Sequence, residues 1–360
     1  MKSGNKSDIK KAVIVSMWNE NNSLYFEEME ELLANIGYKV EETIVQKLSR
    51  PDRKFYVGPG KALEIKNYVE SSDIDMIVFD DELTSLQRKK WKQELEMEIM
   101  DRTEVILSIF ALNAGSIEAR LQVELAALKY RIPEIGEMTR GASRAGGGIG
   151  AKGSGEKEGE YKRRNIAGRV KRIEDEIAVI KNRVTQQKQG RDKRNLKIVS
   201  LVGYTNAGKS TLMNVLTKAG VLEENRVFST LDTRLKKLYR ITDMEVLVSD
   251  TVGFIRKLPH VLVASFKSTL DEIKYSNVIL HVVDISKDTF EDDIAVTQEV
   301  LEEIGAENSK VIYVFNKIDK CDNLEKIHLT VESKYENAIF ISAYKKLNIE
   351  ELVEKIREML

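Results

Sequence analysis

The sequence predicts an α/β protein in three parts: an N-terminal parallel α/β domain, an antiparallel helical hairpin, and a second α/β domain with a mostly parallel sheet. Three observations predict it. Short apolar runs alternate with helical periodicity at both ends of the chain. The middle carries single apolar stripes at helical spacing. A length of 360 residues has room for two to three domains of about 150 residues each. The expected boundaries are 1–115 for the first domain, 116–190 for the hairpin with a glycine-rich basic loop at 141–159, and 196–360 for the last domain.

In the first part, Ala12 to Trp18 (AVIVSMW) reads as a buried strand and Asn21 to Ile36 as a helix stopped by Gly37. Val40 to Val45 reads as a strand, Lys61 to Val69 as a helix and Met76 to Phe79 as a strand. In the middle, Ile117, Leu121, Leu125, Leu128 and Ile132 share one helical face that ends at Pro133. Ile166, Val170, Ile173, Ile177, Ile180 and Val184 form a heptad seam. Two such stripes pack most simply on each other as an antiparallel pair. From Leu196 the βα pattern returns. Leu196 to Val202 reads as a strand, and Lys209 to Lys218 as a helix before Gly220. Leu235 to Ile241 and Glu245 to Ser249 read as a hairpin. Val263, Phe266, Leu270 and Ile273 mark an amphipathic helix. Val278 to Val283 and Lys310 to Phe315 are strands around the helix Phe290 to Ile304. Ala338 to Ile341 is the last strand, and Ile349, Leu352, Val353 and Ile356 stripe the last helix.

Composition excludes several classes. One cysteine, Cys321, and three histidines argue against a disulfide framework or a Cys/His zinc site, and the expected compartment is the reducing cytoplasm. No apolar run approaches the roughly 18 residues of a membrane span, and the polar N-terminus lacks a secretory signal's apolar core. Net charge is −1, but it is unevenly spread. Residues 139–197 carry 17 Lys and Arg against 7 Asp and Glu, between two acidic flanks. A basic middle points to a polyanionic partner.

The chemistry is concentrated in the last domain. Gly203-Tyr204-Thr205-Asn206-Ala207-Gly208-Lys209-Ser210 follows an expected strand and opens an expected helix, with Thr211 next. This is the phosphate-loop pattern in its proper context. Glycines let the backbone wrap a phosphate with its N–H groups inward, at a positive helix end. Lys209 neutralises phosphate oxygens and Ser210 offers Mg²⁺ a hydroxyl. Asp250-Thr251-Val252-Gly253 supplies a carboxylate for Mg²⁺ through water and a backbone N–H for the γ-phosphate. In Phe228-Ser229-Thr230-Leu231-Asp232-Thr233 a threonine can close over Mg²⁺. Thr230 is preferred, with Thr233 the alternative. Asn316-Lys317-Ile318-Asp319 reads the base: an acceptor-only carboxylate suits guanine's N1–H and exocyclic amine, which adenine does not match. Ser342-Ala343-Tyr344 can present a backbone N–H to the guanine O6. The expected catalytic set is Lys209, Thr230 and Gly253, and the expected metal set is Ser210, Thr230 and Asp250, with GTP or GDP and Mg²⁺ bound.

Together these motifs resemble translation-factor-type small GTPases, and more closely the HflX family of ribosome-associated GTPases. FSTLDT (228–233) and DTVGF (250–254) resemble its two switches. Upstream, YVGPGK (56–61), FDDE (79–82), Asp101-Arg102-Thr103-Glu104, ARLQVELA (119–126), Gly148 to Gly150, Gly153-Ser154-Gly155-Glu156 and Arg163-Arg164 resemble its N-terminal and middle regions. Here GSGE stands where the family favours GPGE. The resemblance implies a P-loop GTPase domain, binding to the large ribosomal subunit and its RNA, and splitting or rescue of stalled ribosomes. A monomer is expected. Phe254 stands where many switch GTPases carry a water-orienting glutamine, so slow hydrolysis, stimulated by a partner, is expected. Two readings of the residues stay open beside this one. One is a GTPase acting in subunit maturation. The other is an ATP-driven RNA-remodelling enzyme, in which Val57 to Lys61 would be a second nucleotide site rather than a tight turn.

Overall fold

The computed structural model describes residues 9–17, 26–145, 154–192, 196–217, 228, 234–266, 270, 273–321 and 324–360. The chain forms two compact units, 1–112 with 123–174, and 113–122 with 175–360.

The first unit is built on a four-stranded sheet of β1 (Lys10–Met17), β2 (Tyr38–Gln46), β3 (Met76–Phe79) and β4 (Glu98–Asp101), in the order β2-β1-β3-β4. All three pairings are parallel. Helices α1 (Phe26–Asn35), α2 (Pro59–Ser71), α3 (Ser85–Glu94) and α4 (Arg102–Asn113) connect and follow the strands. The short apolar runs are strands because Val and Ile buried on both faces suit a covered parallel sheet. Val13, Val15, Ile77 and Phe79 pack with Ile65 and Val69 of α2 and Trp91 of α3. Helix α3 begins at a capping box, with Thr84 and Gln87 exchanging hydrogen bonds.

Helices α5 (Ile117–Ala145) and α6 (Ser154–Asp192) follow. Arg169 pairs with Glu124 at 2.8 Å, and Lys129 with Glu174 at 2.8 Å. These contacts lie about 18 residues from the end of α5 and the start of α6. Running in parallel, the helices would need a connection of roughly 50 Å. Eight intervening residues reach at most about 30 Å, so the pair is antiparallel. The helix does not stop at Pro133 but continues to Ala145. A proline costs one i→i−4 bond and kinks more readily than it terminates when helix formers flank it. The expected loop at 141–159 is correspondingly shorter, since residues 141–145 and 154–159 are helical.

The second unit holds a six-stranded sheet of β5 (Lys197–Val202), β6 (Arg234–Lys237), β7 (Val246–Asp250), β8 (Val278–Asp284), β9 (Val311–Asn316) and β10 (Ala338–Phe340). The order is β10-β9-β8-β5-β7-β6, and β6 alone in this list runs antiparallel to its neighbour. The strand expected over Leu235 to Ile241 is shorter, ending at Lys237. Its helices are α7 (Lys209–Thr217), α8 (His260–Ser265), α9 (Phe290–Ile304), α10 (Leu324–Lys334) and α11 (Ile349–Met359). Leu212 and Leu216 of α7 and Leu352, Val353 and Ile356 of α11 pack with Leu201, Val248, Leu280 and Val314. Val300, Leu301 and Ile304 of α9 pack with Val202 and Ile279, together with Leu270 and Ile273 from the expected amphipathic helix. Both faces are therefore covered, and the exposed carboxyl ends of the strands are where an open α/β sheet takes ligands.

Candidate functional site

The phosphate-loop residues connect the end of β5 to the start of α7. Two glycines are required by geometry. Gly203 has φ +144°, and a Cβ there would lie 2.1 Å from the Val282 carbonyl oxygen. Gly208 has φ +97°, and its Cβ would lie 2.2 Å from Asn316 Nδ2. The loop thus presses against β8 on one side and the Asn316 motif on the other.

Lys209 is buried, and its ammonium donates to the carbonyls of Gly203 at 3.0 Å and Tyr204 at 2.7 Å. Burial pulls its pKa down to about 8, with Asp250 opposing and Lys317 adding to the fall. Ser210 Oγ donates to Asp250 Oδ2 at 3.1 Å, so a helix-start hydroxyl meets a strand-end carboxylate. Thr251 Oγ1 donates to the Leu201 carbonyl at 2.6 Å, holding the β7 end to β5. Val252 is buried, and a Cβ on Gly253 would come within 3.0 Å of Lys209 Nζ. Among the described residues no group of three or more His, Cys, Asp or Glu is placed to hold a metal. A hydroxyl and one carboxylate suit Mg²⁺, which takes few protein ligands and completes its shell with phosphate oxygens and water.

The base-reading motif sits at the end of β9. Asn316 Nδ2 donates to the Ala207 carbonyl at 2.8 Å, while its Oδ1 accepts from Ala343 N–H at 2.9 Å. One side chain thus joins the phosphate loop to the Ser342–Ala343 segment. Lys317 Nζ donates to the Asn206 carbonyl at 2.8 Å and to Asp284 Oδ2 at 2.6 Å. Asp319 accepts from Ser342 Oγ at 2.5 Å, and that bond first of all holds its carboxyl below the usual carboxylate range. Tyr344 is exposed.

Of the first switch, Phe228 is described: buried, at φ +56°, its carbonyl accepting from Asn113 Nδ2 at 2.9 Å. Ser229, Thr230 and Thr233 lie outside the described residues, as do Gly148 to Gly150 and Gly153. Thr205 and Thr211 are placed with the loop and the first turn of α7. Phe254 stands at the position where many switch GTPases carry a water-orienting glutamine. It is buried with Val202, Leu270, Ile273 and Val300.

Sequence reasoning missed two features. His281 on β8 is buried, and burial followed by the charge of Lys209 pushes its pKa to about 3, so it is neutral. The hydroxyl of Tyr204 accepts the Arg256 N–H at 2.9 Å. Neither has a local pattern, because each depends on a neighbouring strand.

The N-terminal motifs also gather. Arg88 pairs with Asp101 at 2.6 Å and with Glu104. Arg102 pairs with Asp80 at 2.9 Å and with Glu28. The Tyr56 hydroxyl bonds Asp81, the Tyr130 hydroxyl bonds Asp101, and Thr103 bonds Glu82 at 2.9 Å. At 57–61, Gly58 N–H donates to Gln46 Oε1 at 2.7 Å, Pro59 opens α2, and Lys61 pairs with Glu64 at 2.5 Å.

A phosphate loop, a Ser–Asp pair beside it and a guanine-type motif at the carboxyl edge of a mostly parallel sheet define a P-loop GTPase. Residues 23–111 match the family described as GTP-binding GTPase N-terminal, residues 113–191 its middle region, and residues 198–317 the 50S ribosome-binding GTPase family. The chain is 42% identical over 333 residues to GTPase HflX of Caldanaerobacter subterraneus subsp. tengcongensis, covering 92% of this chain and 76% of the relative. It is 36% identical over 334 residues to GTPase HflX of Escherichia coli (strain K12), covering 93% and 78%. Among solved structures, a complex of SsGBP with GDP aligns with a TM-score of 0.54 at 28% identity, covering 97% of this chain and 98% of that one. A GTP-binding protein from Sulfolobus solfataricus in complex with GDP aligns with a TM-score of 0.50 at 27% identity, with 97% and 98% covered. The chain belongs to the HflX family of GTPases, whose members hydrolyse GTP.

Proposed function

We propose that this GTPase binds the large ribosomal subunit and its RNA, and uses GTP binding and hydrolysis to control ribosome association, splitting or rescuing stalled ribosomes. The observation that carries this reading is the match of residues 198–317 to a 50S ribosome-binding GTPase family. The basic excess over 139–197 supports RNA contact, since Lys and Arg neutralise backbone phosphates. The proposed division of labour is an N-terminal domain at 1–115, an RNA-probing hairpin at 116–190 and a nucleotide domain at 196–360.

In the nucleotide domain, Lys209 and the loop amides of 203–211 bind phosphates, and Gly253 senses the third phosphate. Asn316, Lys317 and Asp319, with Ser342 to Tyr344, bind the base and the loop beneath it. Mg²⁺ would be held by Ser210 and Thr230, with Asp250 behind it, and would neutralise developing charge on phosphate oxygens. The Phe254 ring lies in the core, so the residue after Gly253 offers no side chain to a water. That supports slow hydrolysis alone and stimulation by the ribosome. No described helix is long and apolar enough to cross a membrane, and a cytoplasmic monomer fits this role.

Co-sedimentation with large subunits tests the reading. Binding should be stronger with a non-hydrolysable GTP analogue than with GDP, and deleting residues 141–159 should weaken it while guanine-nucleotide binding persists. Failure to sediment with either nucleotide would overturn it. Single-turnover hydrolysis should quicken when large subunits are added.

A further inference from the structure

Helix α6 has an exposed face whose composition its own packing does not explain. Ile173 and Ile177 are buried, and Ile166 and Val170 are half-buried, so the apolar seam faces inward. Gly168 is two residues from both Ile166 and Val170. Two residues turn a helix by about 200°, which puts Gly168 on the side opposite the seam. It is exposed, and a Cβ added to it would meet nothing within 4 Å. A glycine inside a helix costs stability relative to alanine. Here no neighbour within the described chain needs the room.

Residues three and four apart are neighbours on a helix surface. Around Gly168 these are Arg164 four before it, Lys171 three after and Arg172 four after. Tyr161, two turns earlier on the same stripe, is 66% exposed. Arg164 pairs with Glu160 at 2.5 Å, but both side chains are exposed and such a pair is weak in water. Lys171 and Arg172 are exposed and make no ion pair among the described residues. From Glu160 to Arg172 the helix carries six Lys and Arg against one acid, and Glu174, Asp175 and Glu176 then end the positive stretch.

These features fit one class of partner. Free cations neutralise backbone phosphates. A missing side chain lets a sugar-phosphate backbone approach the helix main chain closely. An exposed aromatic ring offers a face on which a base can stack. We propose that the face of α6 centred on Gly168 is an RNA-docking surface. A phosphate backbone crosses the helix at Gly168, between Arg164 and the Lys171–Arg172 pair, with a base on Tyr161. The proposal rests on the reading that this protein binds the large ribosomal subunit, and assigns RNA contact to this helix face.

Gly168→Ala and the double variant Lys171→Ala with Arg172→Ala are compared with the parent. Each is co-sedimented with large ribosomal subunits and a non-hydrolysable GTP analogue over a range of salt concentrations, and each is unfolded thermally. Gly168→Ala should unfold at a higher temperature than the parent, because alanine is the better helix former. It should nonetheless bind subunits at least about 5-fold more weakly, the lower end of the cost of forcing a methyl group into a close contact. The opposite signs separate docking from a role in the fold. The double variant should flatten the slope of log affinity against log salt by about 1 to 2. Binding by Gly168→Ala equal to the parent's overturns the proposal. So does an unchanged salt slope in the double variant, which would mark an occupant other than RNA. If the parent itself does not sediment with subunits, the ribosome reading falls and this surface with it. If the parent sediments and the variants match it, this surface alone falls.

Discussion

Each unit of this protein gathers polar side chains at the carboxyl ends of a parallel sheet, yet the two edges differ in how their charges are satisfied. In the first unit the cations are already taken up by carboxylates of the same network. Arg88 lies between Asp101 and Glu104, and Arg102 between Asp80 and Glu28, with side chains that are largely buried. Two tyrosine hydroxyls complete the network on Asp81 and Asp101. In the second unit the cation Lys209 is held by two neutral carbonyls, and Ser210 and Asp250 form a hydroxyl–carboxylate pair. Burial lowers the Lys209 pKa to about 8, so its charge is poorly compensated where it stands. Parallel-sheet geometry collects polar groups in both places. A site that attracts an anion is the one whose charge is left for a ligand to neutralise, while a closed network serves the fold.

The comparison can be broken most severely in the first unit. Arg88→Ala leaves two carboxylates in a buried setting, and removing one partner of a buried pair costs about 3–5 kcal/mol. Denaturant unfolding should show a loss of that size, with guanine-nucleotide affinity retained by the folded protein. A small loss would mean that the network is not closed. Lys209→Ala attacks the other edge. Removing a preorganised charge at a phosphate site should cost about 10²–10³-fold in kcat/KM for GTP, with a far smaller effect on unfolding than Arg88→Ala.

Asp319→Asn sharpens the contrast further. The carboxylate is held ionised by Ser342, and replacing it should lower GTP affinity by roughly 10- to 100-fold, the value of a charge-assisted hydrogen bond. Preference should shift toward xanthosine nucleotides, read by competition binding. The smallest effect is on pH dependence. Lys209 in the free protein is charged below about pH 8 and neutral above it. Phosphate binding favours the charged form, so above pH 8 the protein must take up a proton to bind. GDP affinity should therefore hold steady below that pH and fall by up to ~10-fold per unit above it. Lys209→Arg should flatten the profile, since a guanidinium stays charged.

Much of this was legible in the chain. Val278 to Val283 and Met76 to Phe79 are apolar enough to fix their state, and β8 and β3 occupy those positions. Phe290 to Ile304 matches α9 at both ends, because acidic residues open it and Gly305 closes it. The order of the GTP motifs could be read because each lies within a few residues of a strand end. The elements α3, β4 and α4 were not read. Their strand is four residues long, and Arg88, Asp101 and Arg102 look like surface charges until their partners are known. Pro133 suggested a helix end locally, and the helix nonetheless runs on to Ala145.

The sequence by itself pointed to a guanine nucleotide and to the segments expected to bind it, because glycine spacing, strand–loop–helix context and an acceptor-only carboxylate are properties of short stretches, and its motifs carried the family resemblance. Only the tertiary structure decided that Phe254 points into the core, that Asn316 joins Ala207 to Ala343, and that the Tyr204 hydroxyl holds the Arg256 amide. Arg256 is 52 residues from Tyr204, and Asn316 is 109 from Ala207. Such partners are set by the strand order β10-β9-β8-β5-β7-β6, which brings distant strand ends to one edge, where hydrogen-bond distance selects among them.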